Sequence, residues 1–267
     1  MLAPISYNSN VNFGANLQSP KLRLSQKDFF IKIRGYGENT QWAKDVKNAT
    51  DTVVNLIRNH TSAENSLKVA MKGVVEANSN CIELTKRHST GILRTQRENW
   101  RGSFYDREVY TSYLSKRYST YQERLDQVCK KPLKKINPNL GMSVPNKRKD
   151  IEHGGSELIN FSLDYVFELF NKKYSKFITK DVKKEDLPEI IDVVAEIRWV
   201  LAHATPWLRG SDAISNVFMR AMLKAVGVKA YPPAKGISYD LEAYCRNLDD
   251  YKANFNAFFE KPLEVIE

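Results

Sequence analysis

The sequence predicts a mainly α fold in a single domain, on three observations. Glycine is sparse, with 12 in 267 residues. Residues that favour helix abound. Apolar residues recur three or four apart through most of the chain, which is the spacing of one helical face. The boundaries that follow are an extended or disordered leader over 1–25 and one mostly helical domain over 26–267, with room for a small β-hairpin.

The leader is rich in Asn and Ser and carries Pro4, Gly14 and Pro20. Such composition cannot bury enough apolar surface to fold. It lacks a basic segment followed by an apolar run, so no secretory signal peptide is expected. Phe29 to Ile33 reads as a short strand ended by Gly35-Tyr36-Gly37. From about Thr40, Trp42, Val46, Ala49, Val53, Leu56 and Ile57 form a helical stripe. Asn59-His60-Thr61 breaks it, and Thr61 or Ser62 opens a second helix through Leu67, Ala70, Met71, Val74 and Val75. A short third helix is expected over Cys81 to Arg87, closing near Gly91.

Ile92 to Tyr105 is less regular, with Asn99 and Gly102 as turn residues. A hairpin or extended segment there carries Arg94, Arg97 and Arg101 beside Trp100. Arginines with an aromatic can grip phosphate and stack a base, whereas the plainer reading is a solvated basic turn. Asp106 to about Lys131 reads as a long helix with Tyr110, Leu114, Tyr118, Tyr121, Leu125 and Val128 on one face. That face is read as core rather than as a nucleic-acid surface. Lys130 to Asp150 reads as a loop, with three prolines and most of the excess positive charge.

Ile151-Glu152-His153-Gly154-Gly155-Ser156 leads into a strongly apolar helix, expected to be central and buried on more than one face. Glu152 and His153 form a secondary candidate pair there, although a lone His at a helix start is usually structural. A linker is expected from Lys172 to Lys184. After Gly227, Tyr231-Pro232-Pro233 and Gly236 make a connection, Ser238 caps a short helix, and an aromatic-rich helix from Leu248 to Glu260 closes the core.

The stretch from Glu185 to Gly227 organises the rest. Leu187, Ile190, Ile191, Val194, Ile197 and Leu201 lie on one stripe, opened by Pro188 in the first turn and running to His203. Pro206 stops that helix, because the residue before a proline is pushed out of the α region. Ser211 then caps a second helix through Ile214, Phe218, Met222 and Ala225, and Gly227 suits its end. Between them, Arg209, Gly210 and Ser211 place backbone N–H groups at a helix N-terminus beside a cation, which is an anion site. His203 and Asp212 bracket it as titratable groups.

Composition narrows the partners. The net charge of +10 favours acidic surfaces, nucleotides, nucleic acid or anionic lipid. Cys81, Cys129 and Cys245 are odd in number and far apart, which points to a reducing compartment. The four histidines show no helical ligand pair, so no metal site is expected. No window approaches the apolar length of a membrane span.

The helix, His, proline, aromatic, Gly and second helix resemble the core of Fic-type proteins and their relatives, the avirulence-B-type bacterial effectors. His203 stands where that family has its base, and Pro206-Trp207 where it has Pro-Phe. Two additional residues separate His203 from Pro206, and Ser211 replaces the expected Asn. Neither the second Gly nor the following Arg is present, and Asp212-Ala213 occupy that ground. The resemblance implies an effector or toxin that transfers a group from a nucleotide-type donor to a protein hydroxyl. His203 and Asp212 would be catalytic, and Arg209, Gly210 and Ser211 would hold anionic oxygens. Arg94, Arg97 and Arg101 would assist from a flap. The donor would be a nucleotide or nucleotide-sugar, with Mg2+ accompanying it, and the acceptor a host protein. The protein would work in a cytoplasm or be secreted without a signal peptide. Two alternatives stay open: a lapsed Fic-like interaction module, and a basic nucleic-acid binder.

Overall fold

The computed structural model describes residues 25–29, 39–81, 90–96, 119–145 and 151–266. The leader up to residue 24, the helix expected after Cys81, and the Arg97 and Arg101 calls of the flap lie outside the described residues.

Helices α1 (Thr40–Arg58) and α2 (Ala63–Ser79) form a hairpin at the N-terminal side. Asn39 starts α1 by accepting the Trp42 N–H at 2.8 Å, and the Ser62 hydroxyl starts α2. The Trp42 indole donates to Asn78 at 2.9 Å and ties the two helices. Gly73 permits their close crossing, since a Cβ there would lie 2.2 Å from the Ala49 Cβ. Phe29 belongs to a 3-10 turn (Gln26–Phe29) rather than to the expected strand, and its ring is covered by the Arg220 guanidinium at 4.8 Å.

Helix α3 is described over Ser119–Lys130 and buries Tyr121, Leu125 and Val128, as the core reading expects. The short strands β1 (Val144–Pro145) and β2 (Ile151–Glu152) pair antiparallel. Helix α4 (Ser156–Leu169) buries one face only, through Ile159, Ser162, Val166 and Leu169. It is therefore not the central helix. The expected linker after it is a π turn and a 3-10 turn that bury Tyr174, Phe177 and Ile178. The apolar spacing continues there, and exposed lysines on the outer face conceal it.

The central helix is α5 (Leu187–Ala204), in which every residue from Val193 to Ala204 is buried. Helix α6 (Ser211–Ala225) packs against α5 and α1, and α7 (Tyr239–Cys245) and α8 (Leu248–Asn254) pack against the far side of α5. Gly227 takes φ 78 at the end of α6, as expected of a glycine there. Strands β3 (Val228–Lys229) and β4 (Glu264–Val265) then pair antiparallel. One hydrophobic cluster joins α1, α2, α5 and α6 with the C-terminal aromatics. No helix among the described residues is long and apolar enough to cross a membrane.

Candidate functional site

Thr205 ends α5 in the left-handed region, at φ 39 and ψ 60. A β-branched residue rarely adopts that conformation, and it persists only where its surroundings hold it. Here they do. The Thr205 carbonyl accepts from the Arg94 Nε at 2.8 Å, and its hydroxyl lies 2.8 Å from His153 Nδ1. The Ser143 hydroxyl lies 2.6 Å from the same nitrogen and donates to the His203 carbonyl at 2.8 Å. Burial beside Arg94 lowers the His153 pKa well below the usual value. His153 is thus a strut of the elbow.

Residues 90–94 run along the elbow in strand-like pairing. The Arg94 amide donates to Pro206 at 2.8 Å, and the Leu208 amide donates to Ile92 at 2.9 Å. This explains why the segment looked extended. Arg94 itself is buried, so it clamps the elbow where a phosphate-gripping role was expected.

The expected base, His203, is fully buried. Its Nδ1 faces the Ser143 carbonyl at 3.1 Å and its Nε2 faces the Ala243 carbonyl at 3.0 Å. Trp199 and Tyr244 flank the ring. Burial pushes its pKa down to about 4, against the pull of the two carbonyls. A neutral ring has one donor for these two acceptors. Both nitrogens are directed at backbone carbonyls. In this arrangement His203 joins α5, α7 and the chain before β1.

The rest of the elbow divides between closed and open groups. Trp207 is buried, and its amide donates to the Ser211 hydroxyl at 3.1 Å. That hydroxyl donates back to the Trp207 carbonyl at 3.0 Å, so Ser211 spends its side chain on the loop. The N-cap of α6 is Gly210 instead, at φ 86, a conformation that suits glycine. Arg209 is exposed, and Asp212 keeps 39 % of its side chain exposed in the first turn of α6.

Beneath Asp212 lies a group of side chains that sequence reasoning missed. Arg198, fully buried on α5, donates through Nη2 to Asp212 and through Nε to Asn216 at 3.1 Å. Asn216 donates to the second Asp212 oxygen at 3.0 Å. Arg220, on α6, donates to the Tyr231 carbonyl at 2.9 Å. The Arg198 guanidinium lies 5.7 Å from the Tyr239 ring centroid. The Tyr239 hydroxyl and the Arg220 guanidinium lie within interaction range of each other. Among the described residues, Arg198 Nη1 makes no hydrogen bond. Buried polar atoms are nearly always paired, so this nitrogen suggests a ligand or ordered water.

Electrostatics mark the same place. Desolvation and the neighbouring Asp240 push the Asp212 carboxyl above its ordinary value, against the pull of Arg198 and Asn216, and the exposed part of the side chain moderates that rise. A carboxyl raised in this way is a better proton acceptor than a free one. The two arginines carried no recognisable signal in sequence, because each sits alone in an apolar helix. The spacing Arg198, Asp212, Asn216 converges only once α5 and α6 pack.

Comparison with known proteins adds one finding. Residues 99–262 match the avirulence protein family AvrB_AvrC, a span that covers more than half of the chain and includes every residue of this cluster. No curated protein matches the chain.

Proposed function

This chain belongs to the avirulence protein family, and from that premise we propose that it is a bacterial effector that modifies a host protein. The reaction is transfer of a group from a nucleotide-type donor to a protein hydroxyl on a Fic-like core. Asp212 takes the hydroxyl proton as the oxygen attacks the donor. The donor's leaving group departs with the bonding electron pair. Arg198 and the α6 N-terminus meet its negative charge, and Arg209 assists from the loop before α6. His203 holds the helices in register and does not move protons. The observation that carries this reading is a half-exposed carboxyl, raised above its ordinary value, over the buried Arg198, whose Nη1 makes no hydrogen bond among the described residues.

The test is incubation with labelled nucleotides and nucleotide-sugars and a plant or animal cell extract. Wild type should label a host protein. Asp212→Asn should lose about a hundredfold or more of the rate per folded molecule, while His203→Gln should keep most of it. Labelling that survives Asp212→Asn removes the mechanism. The locked His203 and the spent Ser211 hydroxyl favour a second reading, an interaction module without chemistry. That reading is supported if no donor binds while host-protein capture remains.

A further inference from the structure

The four lysines at the end of α3 lie outside the proposed site. Lys130, Lys131, Lys134 and Lys135 are all exposed, and among the described residues none of them forms an ion pair. Ile136 stands beside them with 39 % of its surface exposed, one of two large apolar side chains so exposed among the described residues. Their backbone is fixed. Leu133 packs against the core, the Lys134 amide donates to Asn247 at 2.7 Å, and Leu140 is buried. The segment thus presents four charges and one apolar tip from an anchored ridge.

We infer that this ridge docks the protein on an anionic lipid surface. The residue types select that partner. Lysine is a compact point charge that suits a diffuse field of headgroups, whereas arginine's planar fork suits directed carboxylate or phosphate pairs. The ridge from Lys130 to Ile136 contains no arginine and no aromatic ring to stack a base, so nucleic acid fits it poorly. It contains no acidic residue either. The exposed isoleucine is costly in water and gains by entering the interface between headgroups and acyl chains. None of the four lysines belongs to the cluster around Asp212, so docking uses residues the proposed reaction does not.

The experiment is co-sedimentation of the full chain with vesicles of phosphatidylcholine alone or mixed with phosphatidylserine. Binding should require phosphatidylserine and weaken with salt, because screening shortens the reach of the lysines. Each lysine near an anionic leaflet is worth about fivefold. Changing all four to Gln should therefore lower partitioning about 10²- to 10³-fold. Ile136→Ser should lower it severalfold without altering the salt dependence. A control that changes Lys173, Lys183, Lys184 and Lys235 to Gln removes the same charge elsewhere on the surface and should bind as wild type. Three results overturn the inference: no binding to anionic vesicles, equal loss in the control, or tighter binding of duplex DNA or polyglutamate through the same four lysines.

Discussion

His203 and Arg198 lie five residues apart on α5, and both are fully buried, yet their surroundings differ in kind. Around His203 the partners are backbone carbonyls on two sides and aromatic rings on the others. The ring is neutral and enclosed. Around Arg198 the partners are side chains, Asp212 and Asn216, and one guanidinium nitrogen makes no hydrogen bond among the described residues. One buried polar group is used to hold helices together. The other is paired with a half-exposed carboxyl. A titratable residue at the end of a helix is therefore a poor guide to chemistry until its partners are known.

This contrast can be broken by mutation. The largest expected effect is at Arg198. Arg198→Met removes the charge beneath Asp212, and breaking a buried pair in this way typically costs roughly 3–5 kcal/mol. Denaturant unfolding measures it, and a loss below about 1 kcal/mol would mean that the pair behaves as a surface ion pair.

His203→Ala should cost about 3 kcal/mol near neutral pH, from the cavity and the loss of the one hydrogen bond the neutral ring donates. Its pH dependence sharpens the comparison. The folded-state pKa of about 4 lies below the ordinary 6.5. The stability His203 contributes is thus complete above about pH 6.5 and is lost as pH falls toward 4. The gap between wild type and His203→Ala should shrink over that window by up to about 3 kcal/mol. A constant gap from pH 7 to 4 would mean the ring is not held neutral. Asp212 slopes the opposite way in wild type, since its pKa is raised, so the difference between the two proteins is the quantity to read.

Gly73→Ala tests the scaffold away from both regions. The added methyl would meet the Ala49 Cβ at 2.2 Å, so α1 and α2 must separate. Overpacking of this kind costs about 1–3 kcal/mol, more than the gain in helix propensity. The smallest effect is at Arg209. Because it is exposed, Arg209→Ala should change stability by no more than about 0.5 kcal/mol, while donor binding weakens if it meets the ligand's charge.

Much of the fold was legible from the residues. The stripes from Trp42 to Ile57 and from Ile190 to Leu201 gave their helices, and Pro188, Pro206, Gly210 and Gly227 marked the joints around the elbow. The errors have common causes. The stretch from Lys172 to Lys184 reads as a linker because lysines conceal Tyr174 and Phe177. The loop reading of Lys130 to Asp150 gives no sign that Leu140, Met142 and Ser143 within it are buried, or that the Ser143 carbonyl faces His203. For the site, Asp212 was legible as a titratable group at a helix start. Arg198, Arg220 and Tyr239 were not, because nothing in a single helical stripe tells which buried cation will meet which carboxylate.

The sequence by itself determined the helices and the break between α5 and α6, because apolar spacing, proline and glycine act on a residue's immediate neighbours. Only the tertiary structure decided which titratable group is enclosed and which is available. That depends on carbonyls and guanidinium groups brought together from segments 40 to 60 residues apart for His203 and from facing helices for Asp212. Burial and pKa are properties of such gatherings, and no local pattern encodes them.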